Sequence, residues 1–465
     1  MSFISLKFLI FFLLVIVIYY AVLPKYRHMV LLVISYVFYA CWDIKYLVFL
    51  GITTLSTYIC GLYVHKKRLL LTACIILNLL AWGSFKFGLT TNSLIIPIGF
   101  SFYCLQAFGY LIDVYRGTIV AEKSIIKYAL FVSFFPTIVS GPIERSNNLL
   151  KQIQNGTEFV YEKAKKGLLY MLYGCFLKVL IADRIAGAVS PIYSNYVEYE
   201  GATLLVATVF YGIQLYADFA GYSYIAVGMA KVLGFEIIEN FKQPYFAKSI
   251  KEFWSRWHIS LSQWLKDYIY IPLGGSRQGK IRTYCNLMAT FLISGIWHGT
   301  GIKYIAWGVL HGGYQIVGKM TYGIKRNIEQ KLKINTECWS YRFVKIVITF
   351  ILVDFAWIFF CASSMGSALA IIFRMIGSFN LGEALLNQEL FMGLDINLFY
   401  ILIFEIIVLF LVDVLHEKKI SIVAWLNKQN IGFRWGIYLV VALLVLLGVI
   451  YNYGMNPSVF IYSQF

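Results

Sequence analysis

The chain has 465 residues, 60% hydrophobic and 18% aromatic with only 14% charged, a balance that excludes an ordinary water-soluble domain of this length. Its formal net charge of +17 does not signal nucleic-acid binding, because the lysines and arginines fall in short segments between apolar runs, where positive-inside topology accounts for them. An all-α integral membrane protein with many passes, in contact with the lipid bilayer and with no nucleic-acid partner, is the class that remains.

In chain order, the first apolar run covers residues 3–22. It lacks a small-residue cleavage signal before Pro24, so it is expected to be retained as a span. Lys25, Arg27 and His28 follow it, and if they are cytoplasmic the N-terminus lies outside. Runs at 29–41 and 46–64 bring the chain to His65-Lys66-Lys67-Arg68, after which 69–85 goes out and 94–112 returns. The run 128–140 is interrupted by Pro136 and closes on Ser140-Gly141-Pro142. Broken backbone at membrane depth is tolerated only where protein buries it, so a re-entrant element is expected there.

Residues 167–185 and 204–227 form the next pair of runs. The second carries Asp218, the one acid in its span, which calls for a partner such as a histidine or a lysine from the cytoplasmic layer. That layer is the segment 231–282, too basic to span and read as interfacial helices. Within it Trp254, Trp257, His258, Leu261, Trp264 and Tyr268 share one helical face, and Lys251, Ser255, Ser262 and Lys266 the other. Runs at 287–297 and 302–317 then form a helical pair joined at His298-Gly299-Thr300-Gly301. A run at 343–361, a loop at 362–397 and runs at 398–412 and 438–451 complete roughly eleven passes or half-passes in a single polytopic domain, residues 1–465, with both termini outside. No internal repeat is visible, which weighs against a secondary transporter.

The eight cysteines lie mostly within apolar runs and form no CxxC pair, so they read as small buried hydrophobes rather than a disulfide framework. No HxxxH or HExxH spacing occurs, and no metal is expected. The turn Leu273-Gly274-Gly275-Ser276-Arg277-Gln278-Gly279-Lys280 lacks the spacing of a nucleotide-cleaving phosphate loop. Its amides and basic residues suit an anionic donor at the cytoplasmic surface instead.

His298 is the first candidate for chemistry, because an imidazole within an apolar run stays neutral and can accept a proton, and the neighbouring glycines permit close approach of substrate. Its competing role is to tie two helices together. His258, among tryptophans, reads from position alone as an orienting residue. His311 lies thirteen positions after His298, roughly 20 Å away if the helix is continuous. Asp218, Trp297, Asn286 and His311 are the supporting candidates.

Several segments in order carry a family resemblance: FFPTIVSGPIER (134–145), YGIQLYADFAGYSYIAVGMAKVLGF (211–235), ENFKQPY (239–245), FWSRWHISLSQWLKDYIYIPLGG (253–275), SGIWHG (294–299), WGVLHG (307–312) and the terminal FIYSQF (460–465). Together they resemble the membrane-bound O-acyltransferase family, and within it the bacterial branch typified by the alginate O-acetylation protein. The resembling core is 95–315, including the layer 231–285. The resemblance implies a multi-pass helical funnel or barrel in a bacterial inner membrane, with His298 as the family's invariant histidine and His258 as its second. It implies no bound cofactor, acetyl-CoA as the cytoplasmic acyl-donor substrate, and an extracytoplasmic partner of the SGNH-hydrolase type that completes O-acetylation of an exopolysaccharide or peptidoglycan. Tyr462 near the terminus is a candidate acyl relay. Tyr224 stands where the branch often has an aspartate and Ser463 where it has a phenylalanine. D-alanyl transfer to teichoic acid is the alternative acyl chemistry, and a transporter or flippase, or a scaffold, the alternative class.

Overall fold

The computed structural model describes residues 1–86 and 97–453, and all regular structure among them is helical. The helices are α1 (Leu6–Ala21), α2 (Arg27–Ala40), α3 (Tyr46–Tyr63), α4 (Arg68–Lys86), α5 (Phe100–Arg116), α6 (Ile125–Ser133), α7 (Lys151–Asn155), α8 (Tyr161–Cys175), α9 (Asp183–Ser194), α10 (Gly201–Val232), α11 (Ile250–Arg256), α12 (Ile259–Leu265), α13 (Gly279–His298), α14 (Ile302–Lys331), α15 (Trp339–Cys361), α16 (Met365–Gly377), α17 (Leu381–Leu386), α18 (Ile396–Glu417), α19 (Ile422–Asn427) and α20 (Ile431–Tyr453). Five segments are long and apolar enough to cross a membrane, namely α3, α10, α15, α18 and residues 431–451. Shorter apolar helices cover Leu6–Ala21, Arg68–Gly83 and Met365–Gly377. The last of these corrects the expectation of a loop at 362–397, which also contains α17. Ser364 caps α16 by accepting from the Ser367 amide, and Asn380 caps α17 by accepting from the Glu383 amide, local signals that an apolarity scan passes over.

The axis of the bundle is α10, 32 residues long and buried along most of its length. It lies in backbone contact with α8. A Cβ placed on Gly228 would stand 2.5 Å from the Gly167 carbonyl oxygen, and one on Gly221 would stand 2.8 Å from that of Gly174. Pairs of small residues spaced seven apart on both helices allow this approach, the device by which helices associate where solvent supplies no hydrophobic drive. Between α8 and α9 the chain runs without a break through a π-helical stretch, Phe176–Ala182, which carries Lys178.

The interrupted run behaves as its proline requires. Helix α6 ends at Ser133, and Phe134 to Gly141 continue as buried turns. Pro136 has no amide hydrogen to give a helix, and the Phe135 amide donates to Ser35 Oγ on α2 at 3.2 Å. The irregular backbone is thus wrapped in protein, the condition under which such a segment is stable away from water.

Candidate active site

The tryptophan-rich stretch is two short helices and not one. Helix α11 stops at Arg256 and α12 starts at Ile259, with His258 between them at φ 44° and ψ 54°, a left-handed conformation that costs a non-glycine residue about 1–3 kcal/mol. Asn240 holds the break open. Its carbonyl accepts from the Ile259 amide at 3.0 Å and its side chain accepts from the Ser260 amide at 3.1 Å. Ser260 Oγ in turn accepts from the Ile143 amide at 3.0 Å, which ties the break to the segment after Pro136. The two-faced pattern read from the sequence survives in burial at most positions: Trp254, Trp257, His258, Leu261 and Trp264 are buried, Lys251, Ser255 and Lys266 are exposed, and Tyr268 and Ser262 are half-buried.

The break turns the His258 ring into the bundle, 1% exposed, where Phe219 of α10 meets it edge-on with ring centroids 4.6 Å apart. Trp297 lies 6.1 Å away and Phe102 of α5 6.3 Å away. Burial pushes its imidazole pKa down to about 3, so the ring is neutral throughout the physiological range.

His298 is the last residue of α13 and is 2% exposed. Gly299 and Gly301 then let the chain reverse into α14. A side chain at Gly299 would run into the ring of Tyr304. The His298 ring packs against Trp297 at 4.7 Å, Trp307 at 5.0 Å and Phe360 of α15 at 5.2 Å. Trp297 therefore contacts both imidazoles, one on each side of a sequence separation of forty residues.

The reversal at the expected junction of the helical pair also brings His311 back toward His298. On one continuous helix it would lie far from His298; in the hairpin both rings touch Trp307, His311 at 4.8 Å. His311 is fully buried, and its Nδ1 accepts from the Trp254 indole N–H at 3.2 Å, which places the ring hydrogen on Nε2. Among the described residues no cluster of histidine, cysteine, aspartate and glutamate has the makeup of a metal site.

The other supporting candidates lie apart from the imidazoles. Asn286, twelve positions before His298 and so roughly 18 Å down α13, donates to the Gly275 carbonyl at 3.0 Å and anchors the glycine turn. Asp218 is paired, and its partner corrects the expectation of a histidine or a lysine from the layer. Lys178, in the π-helical stretch, sits 2.7 Å from Asp218 and 2.7 Å from Asp183, with all three side chains nearly inaccessible. The next residue on α10, Phe219, is the one that meets His258. Tyr224 packs between Tyr170 and Tyr173, with centroids at 5.5 and 5.2 Å. Tyr462 and Ser463 lie outside the described residues.

Sequence reasoning passed over Lys178, Asp354, Asp413 and the Arg184–Glu405 pair. Arg184 reaches Glu405 of α18 at 2.8 Å, and Asp413 of the same helix accepts from the Tyr216 hydroxyl at 3.0 Å. A charge inside an apolar run was the available signal, and for Lys178 the acid five residues later strengthened it. The arrangement as a whole is two buried imidazoles among aromatic rings, suited to proton transfer and hydrogen bonding to a developing negative charge.

Residues 119–365 match the family model described as MBOAT, membrane-bound O-acyltransferase family. Over 96% of both chains, the sequence is 34% identical to the "Probable alginate O-acetylase AlgI" of Pseudomonas putida. It is 32% identical to the "Peptidoglycan O-acetyltransferase" of Helicobacter pylori, over 80% of this chain and 77% of that one. To the "Teichoic acid D-alanyltransferase" of Streptococcus thermophilus it is 29% identical, over 52% of this chain and 61% of the relative.

Proposed function

The chain belongs to the membrane-bound O-acyltransferase family and is a multi-pass membrane acyltransferase, and from that premise we propose that it moves an acetyl group from cytoplasmic acetyl-CoA across the membrane to an extracytoplasmic acceptor, for O-acetylation of a cell-surface polysaccharide. The names of the Pseudomonas and Helicobacter relatives support acetyl transfer to a polymer, whether exopolysaccharide or peptidoglycan. The observation that carries the reading is the pair of buried imidazoles sharing the Trp297 indole.

In this mechanism His298 accepts the proton of an acceptor hydroxyl as its oxygen attacks the thioester carbonyl. The C–O bond forms, the C–S bond breaks, and the imidazolium returns its proton to the departing thiolate, so no net proton is gained or lost. His258, held neutral by burial, donates an N–H to the oxygen on which negative charge develops. The aromatic surround keeps water from hydrolysing the thioester. The donor enters from the side of the basic layer. The acceptor, or an SGNH-hydrolase-type partner that finishes the transfer, comes from the opposite side of a bacterial inner membrane, on which both termini lie.

The test is acetyl transfer from labelled acetyl-CoA by purified protein in liposomes. Wild type should form labelled ester, and His298→Ala should lose at least about a hundredfold in rate, the lower range for a general acid–base group, while still inserting. Full activity in the variant refutes the assignment. A second reading, D-alanyl transfer, is favoured by the Streptococcus relative; a protein that consumes no acetyl-CoA but accepts a D-alanyl thioester would establish it.

A further inference from the structure

A cavity of about 30 Å³ lies between α4 and α5 and has Trp297 in its lining. Leu79, Trp82, Leu105 and Phe108 make most of its wall, and Ser101 is a polar member. Ser101 is 3% exposed, and its hydroxyl has no hydrogen-bond partner among the described residues. The space has room for roughly two water-sized groups. Trp297, which lines the cavity, packs its indole against His298 and His258. Trp297, itself 7% exposed, is therefore a partition with the two imidazoles and an apolar void among its neighbours.

We infer that Trp297 fixes the length of the acyl group this enzyme transfers, its indole standing between the two histidines and an apolar pocket that an acyl chain longer than acetyl would enter. The substrate class is short saturated acyl thioesters, and the inference rests on the acyl-transfer reading above. The physical reason is additive. Each methylene moved from water into an apolar wall gains about 0.8 kcal/mol, or about fourfold in relative kcat/KM. With the indole in place an extra methylene meets a filled volume, where overpacking opposes entry. Shortening Trp297 joins the void to the site and removes the opposition.

The experiment compares labelled acetyl-CoA and butyryl-CoA as donors for the full-length protein in liposomes, in wild type, Trp297→Ala, Trp297→Phe and Trp297→Ala combined with Ser101→Val. In Trp297→Ala the butyryl-to-acetyl ratio of kcat/KM should rise about tenfold or more, two methylenes at about fourfold each. Trp297→Phe, which opens less space, should give a smaller rise, and it also carries the test if the alanine variant fails to fold. Ser101→Val refills the cavity from α5 and should return the ratio toward wild type. A folded, acetyl-transferring Trp297 variant whose ratio stays within twofold of wild type overturns the inference and leaves the acyl-transfer reading intact. A wild type that transfers neither group overturns the acetyl-transfer reading instead.

Discussion

Replacing Lys178 with methionine would leave Asp183 and Asp218 facing a site from which their shared cation, 2.7 Å from each, has been removed. Removing one partner of a buried ion pair costs about 3–5 kcal/mol, because the remaining charge stays buried without the group that compensated it. Two carboxylates share this cation, so the loss should fall in the upper part of that range unless one of them takes up a proton. The assay is denaturant unfolding in detergent micelles followed by the fluorescence of the chain's eleven tryptophans. A triple variant, Lys178→Met with Asp183→Leu and Asp218→Leu, removes all three charges and should recover most of the loss, since well-packed apolar replacements of buried ions are often neutral or stabilising. A single variant within about 1 kcal/mol of wild type, or a triple variant as unstable as the single, would refute the view that the cluster is a desolvated, mutually compensated unit.

Two buried groups outside the spans give stability opposite dependences on pH. His258 falls from its ordinary 6.5 to about 3 on folding, so between those values the unfolded chain binds a proton that the folded chain does not, and stability rises with pH by up to about 1.4 kcal/mol per unit. Glu144, 1% exposed, is pushed by burial from 4.5 up to about 7, so its contribution is present in acid and is lost as pH rises through that window. The two slopes oppose each other between 4.5 and 6.5, so unfolding curves from pH 4 to 8 should show stability falling from 4.5 to about 7 in His258→Gln and rising up to 6.5 in Glu144→Gln; unchanged profiles in both would contradict the assigned burial. Gly228→Val should cost about 1–3 kcal/mol by the same unfolding assay, because its side chain would force α10 away from the Gly167 carbonyl. Gly187→Ala, on α9 with nothing within 4 Å of the added carbon, should be neutral or slightly stabilising.

The candidate histidines were legible because cost made them so. His298 stands in a run of residues that otherwise suits hydrocarbon, and its flanking glycines mark a place where the backbone must turn. His258 was less legible, since the spacing of Trp254, Trp257, Leu261 and Trp264 fits an unbroken helix equally well. What breaks that helix is Asn240, eighteen residues earlier, whose two hydrogen bonds to the amides of Ile259 and Ser260 have no local sequence signature.

From the sequence alone came the membrane class, most of the apolar runs and the three histidines, because these depend on composition and on periodicity within a few turns. Tertiary structure decided which of them meet. It gave Asp218 a lysine from the neighbouring helix, folded His311 back to the indole that touches His298, and set one tryptophan against both candidate imidazoles. Such pairings depend on how closely helices approach. Here the approach is set by glycines on α8 and α10 and by a chain reversal at Gly299; the sequence marks these places, but which helix each one meets is fixed only by contacts across the fold.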